Sequence, residues 1–431
     1  MKYYSLNNTD VKVSFKQAAI TGIAPDKGLY FPESIPQHSE EFINNLSVLT
    51  NEEIAFKVIK PFIGDDIPDD VLQAIIAETL SFSFPLSEVE KDIYALELFH
   101  GPTLAFKDVG ARFMSRCLNY FTDGDGKKIT ILVATSGDTG GAVANGFLGA
   151  ENINVVLLYP SGKVSTVQEK QLTTLGDNIA ALEVNGSFDD CQDMVKQAFL
   201  DSDITEVKLT SANSINVARW LPQMFYYFFA YKQLTNKTQP LAISVPSGNF
   251  GNICAGLMAK KTGLPIARFI AATNSNDTVP RYMHTQQYSP FPTRETLSNA
   301  MDVSNPSNFV RILQLFNKDF NGLTDIFSSY SFSDKETLAT IREVYNNHNY
   351  LCDPHGAVGY LGLKNFMNKN DGYTGIFLET AHPVKFADSI TDKLQIEVPV
   401  PKKIEAILKK QKKSITINSY DELKDFLKNS G

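Results

Sequence analysis

The stretch 100–114 reads HGPTLAFKDVGARFM, and the rest of the chain takes its meaning from the lysine near its centre. Pro102 stiffens the backbone ahead of an apolar patch, Leu104, Ala105 and Phe106. Asp108 stands where a helix could begin, followed by an amphipathic run through Arg112, Phe113 and Met114. An amine shielded in this way is desolvated, which disfavours the ammonium and suits Lys107 to Schiff-base formation and proton transfer. Taken alone, a solvated lysine at a helix edge is the commoner arrangement. The decision rests on what stands elsewhere.

Outward from Lys107, short apolar runs alternate with amphipathic ones. Strands are expected at 94–99, 128–135, 154–160, 179–184, 207–210, 241–247, 268–273 and 375–380. Helices are expected at 140–150, 163–175, 188–200, 214–234, 252–262, 335–347, 355–368 and 384–391. Strand–helix alternation with near-continuous apolar strands predicts an α/β fold of parallel or mixed sheets covered by helices. The expected parts are a mostly helical cap over 1–95, a smaller α/β lobe over 115–212, and a larger lobe made of 96–114 and 213–431. In the cap, helical patterns near 39–47, 50–62 and 68–80 read as packing. The basic run KKIEAILKKQKK, 402–413, reads as the solvated face of an amphipathic helix.

The chain has 431 residues, 43% hydrophobic and 20% charged, an ordinary globular profile with room for two or three folding units. A net charge of −8 argues against nucleic acid as a partner, so an anionic ligand needs a local cluster of donors. Cys117, Cys191, Cys254 and Cys352 are scattered without a CxxC pair, which predicts reduced thiols and no metal site. No stretch approaches the roughly 18 to 20 apolar residues of a membrane span, and the expectation is a soluble cytoplasmic protein.

Three loops follow expected strands and precede helices, where ligands sit in open α/β sheets. In ATSGDTGGA, 134–142, Ser136, Thr139 and the amides around Gly137 and Gly140 suit a carboxylate, or form only a tight turn. In VPSGNFGN, 245–252, small residues let several amides converge on one point, as a phosphate requires. The spacing is neither that of a Walker loop nor GxGxxG, so a phosphate ester smaller than a nucleotide is favoured. In LETAHP, 378–383, Thr380 ends a strand with its hydroxyl free for a ring nitrogen, while His382 reads as a turn residue. A fourth segment, SANSINVARW, 211–220, gathers Asn213, Ser214, Asn216 and Arg219. They could bind a second phosphate, or simply cap a helix.

A shielded lysine, a phosphate cup, a ring-nitrogen hydroxyl and a carboxylate loop are the parts that pyridoxal 5′-phosphate requires. HGPTLAFKD, TSGDTG, SANSIN with Arg219, PSGNFGN and ETAHPVKF, in this order, resemble the threonine synthases of the bacterial and fungal branch. The likeness runs from GLYFP to beyond residue 380. It implies the two-lobed fold type II, tryptophan-synthase-β-like, and the conversion of O-phospho-L-homoserine and water to L-threonine and phosphate. By that resemblance Lys107 bonds the cofactor and later shuttles protons. Gly248, Asn249, Phe250, Gly251 and Asn252 hold the cofactor phosphate, and Thr380 meets the pyridine nitrogen. Ser136, Asp138 and Thr139 receive the substrate carboxylate, and Asn213, Ser214 and Arg219 its phosphate. The wider fold has asparagine at the Asp138 position, so Asp138 is expected either to turn away and cap the helix or to stay protonated. Asp353-Pro354-His355 reads as a helix start. The partner is a small molecule, and the chain is expected to be a monomer or small homo-oligomer. Rival readings are a phospholyase or dehydratase giving 2-oxobutyrate, and a cofactor-free binding protein of the same fold.

Overall fold

The computed structural model describes residues 1–123, 128–204 and 207–429. The expected lobes also take in residues 124–127, 205–206 and 430–431, which lie outside the described residues. At the N-terminus, β1 (Lys2–Ser5), β2 (Lys12–Ser14) and β3 (Tyr30–Pro32) form a small antiparallel sheet in the order β2-β1-β3. Helices Asn51–Ile63 and Asp69–Thr79 follow, the first opened by a Thr50–Glu53 capping box.

Next come β4 (Leu86–Glu90), β5 (Ile93–Glu97), β6 (Ile129–Ala134), β7 (Ile153–Pro160), β8 (Ile179–Val184) and β9 (Lys208–Thr210). After them come β10 (Leu241–Pro246), β11 (Arg268–Thr273), β12 (Phe327–Ser331), β13 (Thr374–Glu379) and β14 (Ile415–Ile417). The large sheet runs β12-β11-β10-β13-β5-β4, parallel except for β4 against β5. The smaller sheet runs β14-β8-β7-β6-β9 and is parallel throughout. Every residue of β10 and of β13 is buried, as strands covered on both faces must be.

Strand order decides where a ligand can sit. In the large sheet, successive strands step one way from β10 to β11 and β12, while β13 and β5 lie on the other side. The reversal falls between β10 and β13. In the small sheet it falls between β6 and β9. Crevices open at the carboxyl ends of strands at such points. The loops leaving these four strands are 247–250, 380–382, 135–137 and 211–216, the four that the sequence singles out.

Three expectations are corrected. The 214–234 helix is broken into Val217–Trp220, a 3-10 turn Leu221–Gln223 and Met224–Gln233, because Pro222 has no N–H for a continuous ladder. The lobe boundaries shift: β4 joins the large sheet instead of the cap, and β14 pairs with β8, so the C-terminal segment belongs to the small lobe. The basic tail is not simply a solvated face. Its helix spans Lys402–Leu408, and beyond it Lys412 bridges Glu169 at 2.6 Å and Glu183 at 2.7 Å, strapping the segment onto the small lobe. Among the described residues no helix is long and apolar enough to cross a membrane, and all four cysteines are buried and free.

Candidate active site

Lys107 is the first residue of the helix Lys107–Thr122, and its approach is clamped from two sides. Phe106 N donates to Thr380 O at 2.9 Å, Ala105 bridges Ala381, and His382 N donates to Leu104 O at 3.1 Å. Leu104 takes a left-handed φ of 59° to enter this pairing. The hydroxyl of Tyr226 donates to Phe106 O. These bonds seat the lysine beside the end of β13 and so beside Thr380, a residue only 6% exposed. His382 serves as the expected turn residue, its Nδ1 accepting from Val384 N at 3.1 Å.

The loop after β10 is an anion cradle. Ser247 N still bonds Ala272 O at 2.8 Å, and Cys254 N bonds Phe250 O at 3.1 Å. The amides of 248 to 253 in between have no acceptor among the described residues. Phe250 in the left-handed conformation, φ 60°, turns them onto the N-terminus of the helix Gly251–Lys261. The Asn252 Nδ2 is likewise buried without a partner, its Oδ1 being taken by the Tyr227 hydroxyl at 2.7 Å. A Cβ on Gly248 would stand 2.6 Å from Met301 Cα, so the close packing of the next loop demands glycine.

The two halves are tied across the crevice. Asn249 Nδ2 donates to Ser214 Oγ at 2.6 Å, joining the cradle to the SANSIN loop. Arg219 is 3% exposed; it donates through Nη1 to Ala212 O, while its Nε has no partner among the described residues. Burial lowers it to about 10, so it stays a cation at neutral pH. Asn216 caps the short helix through Ala218 N at 2.9 Å and reaches the cap domain through Ala19 O at 2.9 Å.

In the TSGDTG loop, Thr135 Oγ1 accepts from Gly137 N at 3.0 Å and Gly140 N at 2.8 Å. Gly137 needs its φ of 127°, and a Cβ there would strike Gln168. The amides of Ser136, Asp138 and Thr139 have no acceptor among the described residues, as a carboxylate subsite requires.

Asp138 neither caps its helix nor stays protonated. Its Oδ1 accepts from Lys385 Nζ at 2.6 Å and Gln168 Nε2 at 2.9 Å, and its Oδ2 lies 3.7 Å from Lys107 Nζ. Burial opposes its ionisation, but the two lysines outweigh that and hold its carboxyl well below the usual range. Burial is also the main force on Lys107, lowering its ammonium to about 8 against the pull of Asp138, with Lys385 and Arg219 adding to the lowering.

Sequence reasoning missed Lys385, Thr135 and Arg311. Lys385 stood in the quoted ETAHPVKF, and a lysine five residues past a site threonine was the available signal. Arg311 is fully buried, bonds Asn308 Oδ1 at 2.7 Å and Tyr30 O at 2.8 Å, and so steadies Asn308, whose Nδ2 donates to Asn249 O at 3.1 Å. Nothing in the sequence marks it. Asp353 begins the helix Pro354–Met367 as expected, accepting from His355 N and Gly356 N.

Unpaired amides at a helix start, a threonine at the end of the neighbouring strand and, seated beside that threonine, an amine of lowered pKa fit pyridoxal phosphate. The fold and this constellation define a pyridoxal phosphate enzyme of fold type II, and the family described as pyridoxal-phosphate dependent enzyme matches residues 77–376. Its cofactor is pyridoxal 5′-phosphate. Families described as threonine synthase N terminus and threonine synthase, C-terminal match residues 2–80 and 356–427. Threonine synthase from Haemophilus influenzae is 49% identical over 94% of each chain. The crystal structure of threonine synthase from Escherichia coli covers 100% of both chains at 44% identity with a TM-score of 0.93. That of PLP-bound threonine synthase from Brucella melitensis covers 100% of this chain and 99% of its own at 33% identity and 0.94. The chain belongs to the threonine synthase family.

Proposed function

We propose that the chain converts O-phospho-L-homoserine and water to L-threonine and phosphate. The observation that supports this substrate is a buried arginine near the cradle: Arg219, whose Nε has no partner among the described residues, follows on the segment whose Ser214 is bonded to Asn249 of the loop with six open amides. The cradle serves the cofactor, the arginine a phosphorylated substrate.

Residues 248–252 would hold the cofactor phosphate, Thr380 its ring nitrogen, and Lys107 its carbonyl carbon. When bound, pyridoxal phosphate supplies an electron sink that stabilises negative charge next to the substrate's amino-bearing carbon. Ser136, Thr139 and the open amides of their loop bind the substrate carboxylate. Asn213, Ser214 and Arg219 bind its phosphate and stabilise it as it leaves Cγ. Lys107, once released as a neutral amine, removes the proton from Cα and carries protons to later carbons. Thr135 holds the carboxylate loop in shape through its two amide bonds.

The test is to supply O-phospho-L-homoserine and quantify threonine, phosphate and 2-oxobutyrate together. Threonine and phosphate in equal amounts are expected. Dominant 2-oxobutyrate would overturn the reaction, and turnover retained in Lys107→Ala would overturn the role of the lysine. Four free thiols support a reducing compartment, the cytoplasm. A monomer or small homo-oligomer is expected by sedimentation.

A further inference from the structure

The Lys385 side chain is wholly buried, and lysines are almost never found so unless paired. Its Nζ sits 2.6 Å from Asp138 Oδ1 and donates to Thr103 O at 3.0 Å. The other oxygen of Asp138 lies 3.7 Å from Lys107 Nζ. One carboxylate stands between two lysines, closer to the one that has no part in the site so far. The remaining charged groups are few. Arg219, on the Val217–Trp220 helix, acts on Lys107 by charge, and Asp108, on the Lys107 helix, acts on Lys385 and Arg219. Asp108 is itself occupied by Thr103 N at 2.9 Å and by the Thr103 hydroxyl.

A carboxylate in this poorly solvated pocket must find a cation. Were position 385 neutral, the nearest cation would be Lys107, and the attraction would keep it protonated, useless both as nucleophile and as base. Lys385 and Asp138 together carry no net charge, so the pocket no longer requires one on Lys107. A neutralised Asp138 also removes the repulsion that a substrate carboxylate would meet at the Ser136–Thr139 loop.

We propose that Lys385 is a positioning residue: as resident counter-ion of Asp138, it keeps that carboxylate from holding Lys107 as an ammonium and so frees the amine for bonding and proton transfer. The inference rests on Lys107 being the cofactor lysine.

The experiment is the pH dependence of reductive methylation of Lys107 in the cofactor-free full-length chain, read by peptide mass spectrometry, in a double-mutant cycle. For the unsubstituted chain the midpoint is expected near 8. Lys385→Met should raise it by about one pH unit or more, a tenfold loss of free amine below the midpoint. In the Asp138→Asn background the same substitution should move it by less than half as much, and Lys385→Arg should stay close to the unsubstituted value. Equal shifts in both backgrounds would mean that Lys385 acts only by direct repulsion of Lys107, and would overturn the proposal. So would a midpoint unmoved by Lys385→Met. If Lys385→Met does not fold, Lys385→Gln, which keeps a donor toward Asp138 and Thr103, gives the same comparison. Borohydride reduction of the holoenzyme separates the two readings. A cofactor trapped on another lysine would remove the assignment of Lys107 whatever the midpoints.

Discussion

Replacing Gly110 with alanine tests how closely the Lys107 helix must approach the backbone of Arg219. A Cβ at this position would stand 2.7 Å from Arg219 O and 3.5 Å from its carbonyl carbon, whereas ordinary contact begins at 3.4 Å. The obstacle is backbone, so the helix and the Arg219 segment must part by roughly 0.7 Å. Two effects on stability oppose each other. Alanine is better than glycine inside a helix by about 1 kcal/mol, and overpacking costs about 1–3 kcal/mol. The net loss is therefore small, between about 0 and 2 kcal/mol, and the fold survives. Function is less tolerant, because Arg219 moves relative to Lys107. In the role proposed for Arg219, its hydrogen bonds to the substrate phosphate contribute about 1.5–3 kcal/mol. Losing roughly 1–2 kcal/mol of that lowers kcat/KM about 5- to 30-fold. Steady-state kinetics with O-phospho-L-homoserine and a thermal melt decide it. The expected result is a raised KM with the melting temperature within a few degrees and borohydride trapping on Lys107 retained. A kcat/KM within twofold of the unsubstituted enzyme would show that this close approach does not set the position of Arg219.

Because Lys107 is lowered from 10.5 to about 8, capture of pyridoxal phosphate by the cofactor-free chain should rise about tenfold per pH unit below 8 and level off above it. Stopped-flow absorbance would record this, and a rate flat from pH 6 to 9 would contradict it. The same shift gives a sign for stability. Between about 8 and 10.5 the unfolded chain binds this proton and the folded chain does not. Stability relative to Lys107→Ala should therefore rise with pH across that window, by urea unfolding. Thr135→Val keeps the shape but leaves the Gly137 and Gly140 amides without their acceptor. A loss of about 1–3 kcal/mol in stability, together with a higher KM, is expected. Unchanged values of both would show that the hydroxyl is dispensable.

Much of the architecture was legible because strands buried on both faces are written as near-continuous apolar runs: LAISVPS, 241–247, and GIFLET, 375–380, are expected as strands and fall on β10 and β13 to within a residue at each end. The strands that escaped carry no such run. β12 reads FSSYS, and its serines hide it. β14 is three residues in a polar tail. The four loops could be located because small residues after a strand have few other uses, but the sequence could not say which of them touch. Contact is made by bonds such as Asn249 to Ser214, whose partners are 35 residues apart. Asp138 shows the limit most sharply. Its protonation depends on Lys385, 247 positions away in the chain and bonded at 2.6 Å, and no local pattern announces a pairing of that span.

The pairing of β14 with β8 bears on how the chain is made. During synthesis Val184 leaves the ribosome well over two hundred residues before Ile415. At ~5–20 residues per second, that interval lasts on the order of ten seconds or more. Throughout it the outer edge of the small sheet has no partner, and an open strand edge invites pairing with other chains. Stop codons placed just ahead of Ile415 would make the condition permanent. The products to look for are soluble aggregates and chaperone-bound chains rather than a slightly weaker enzyme.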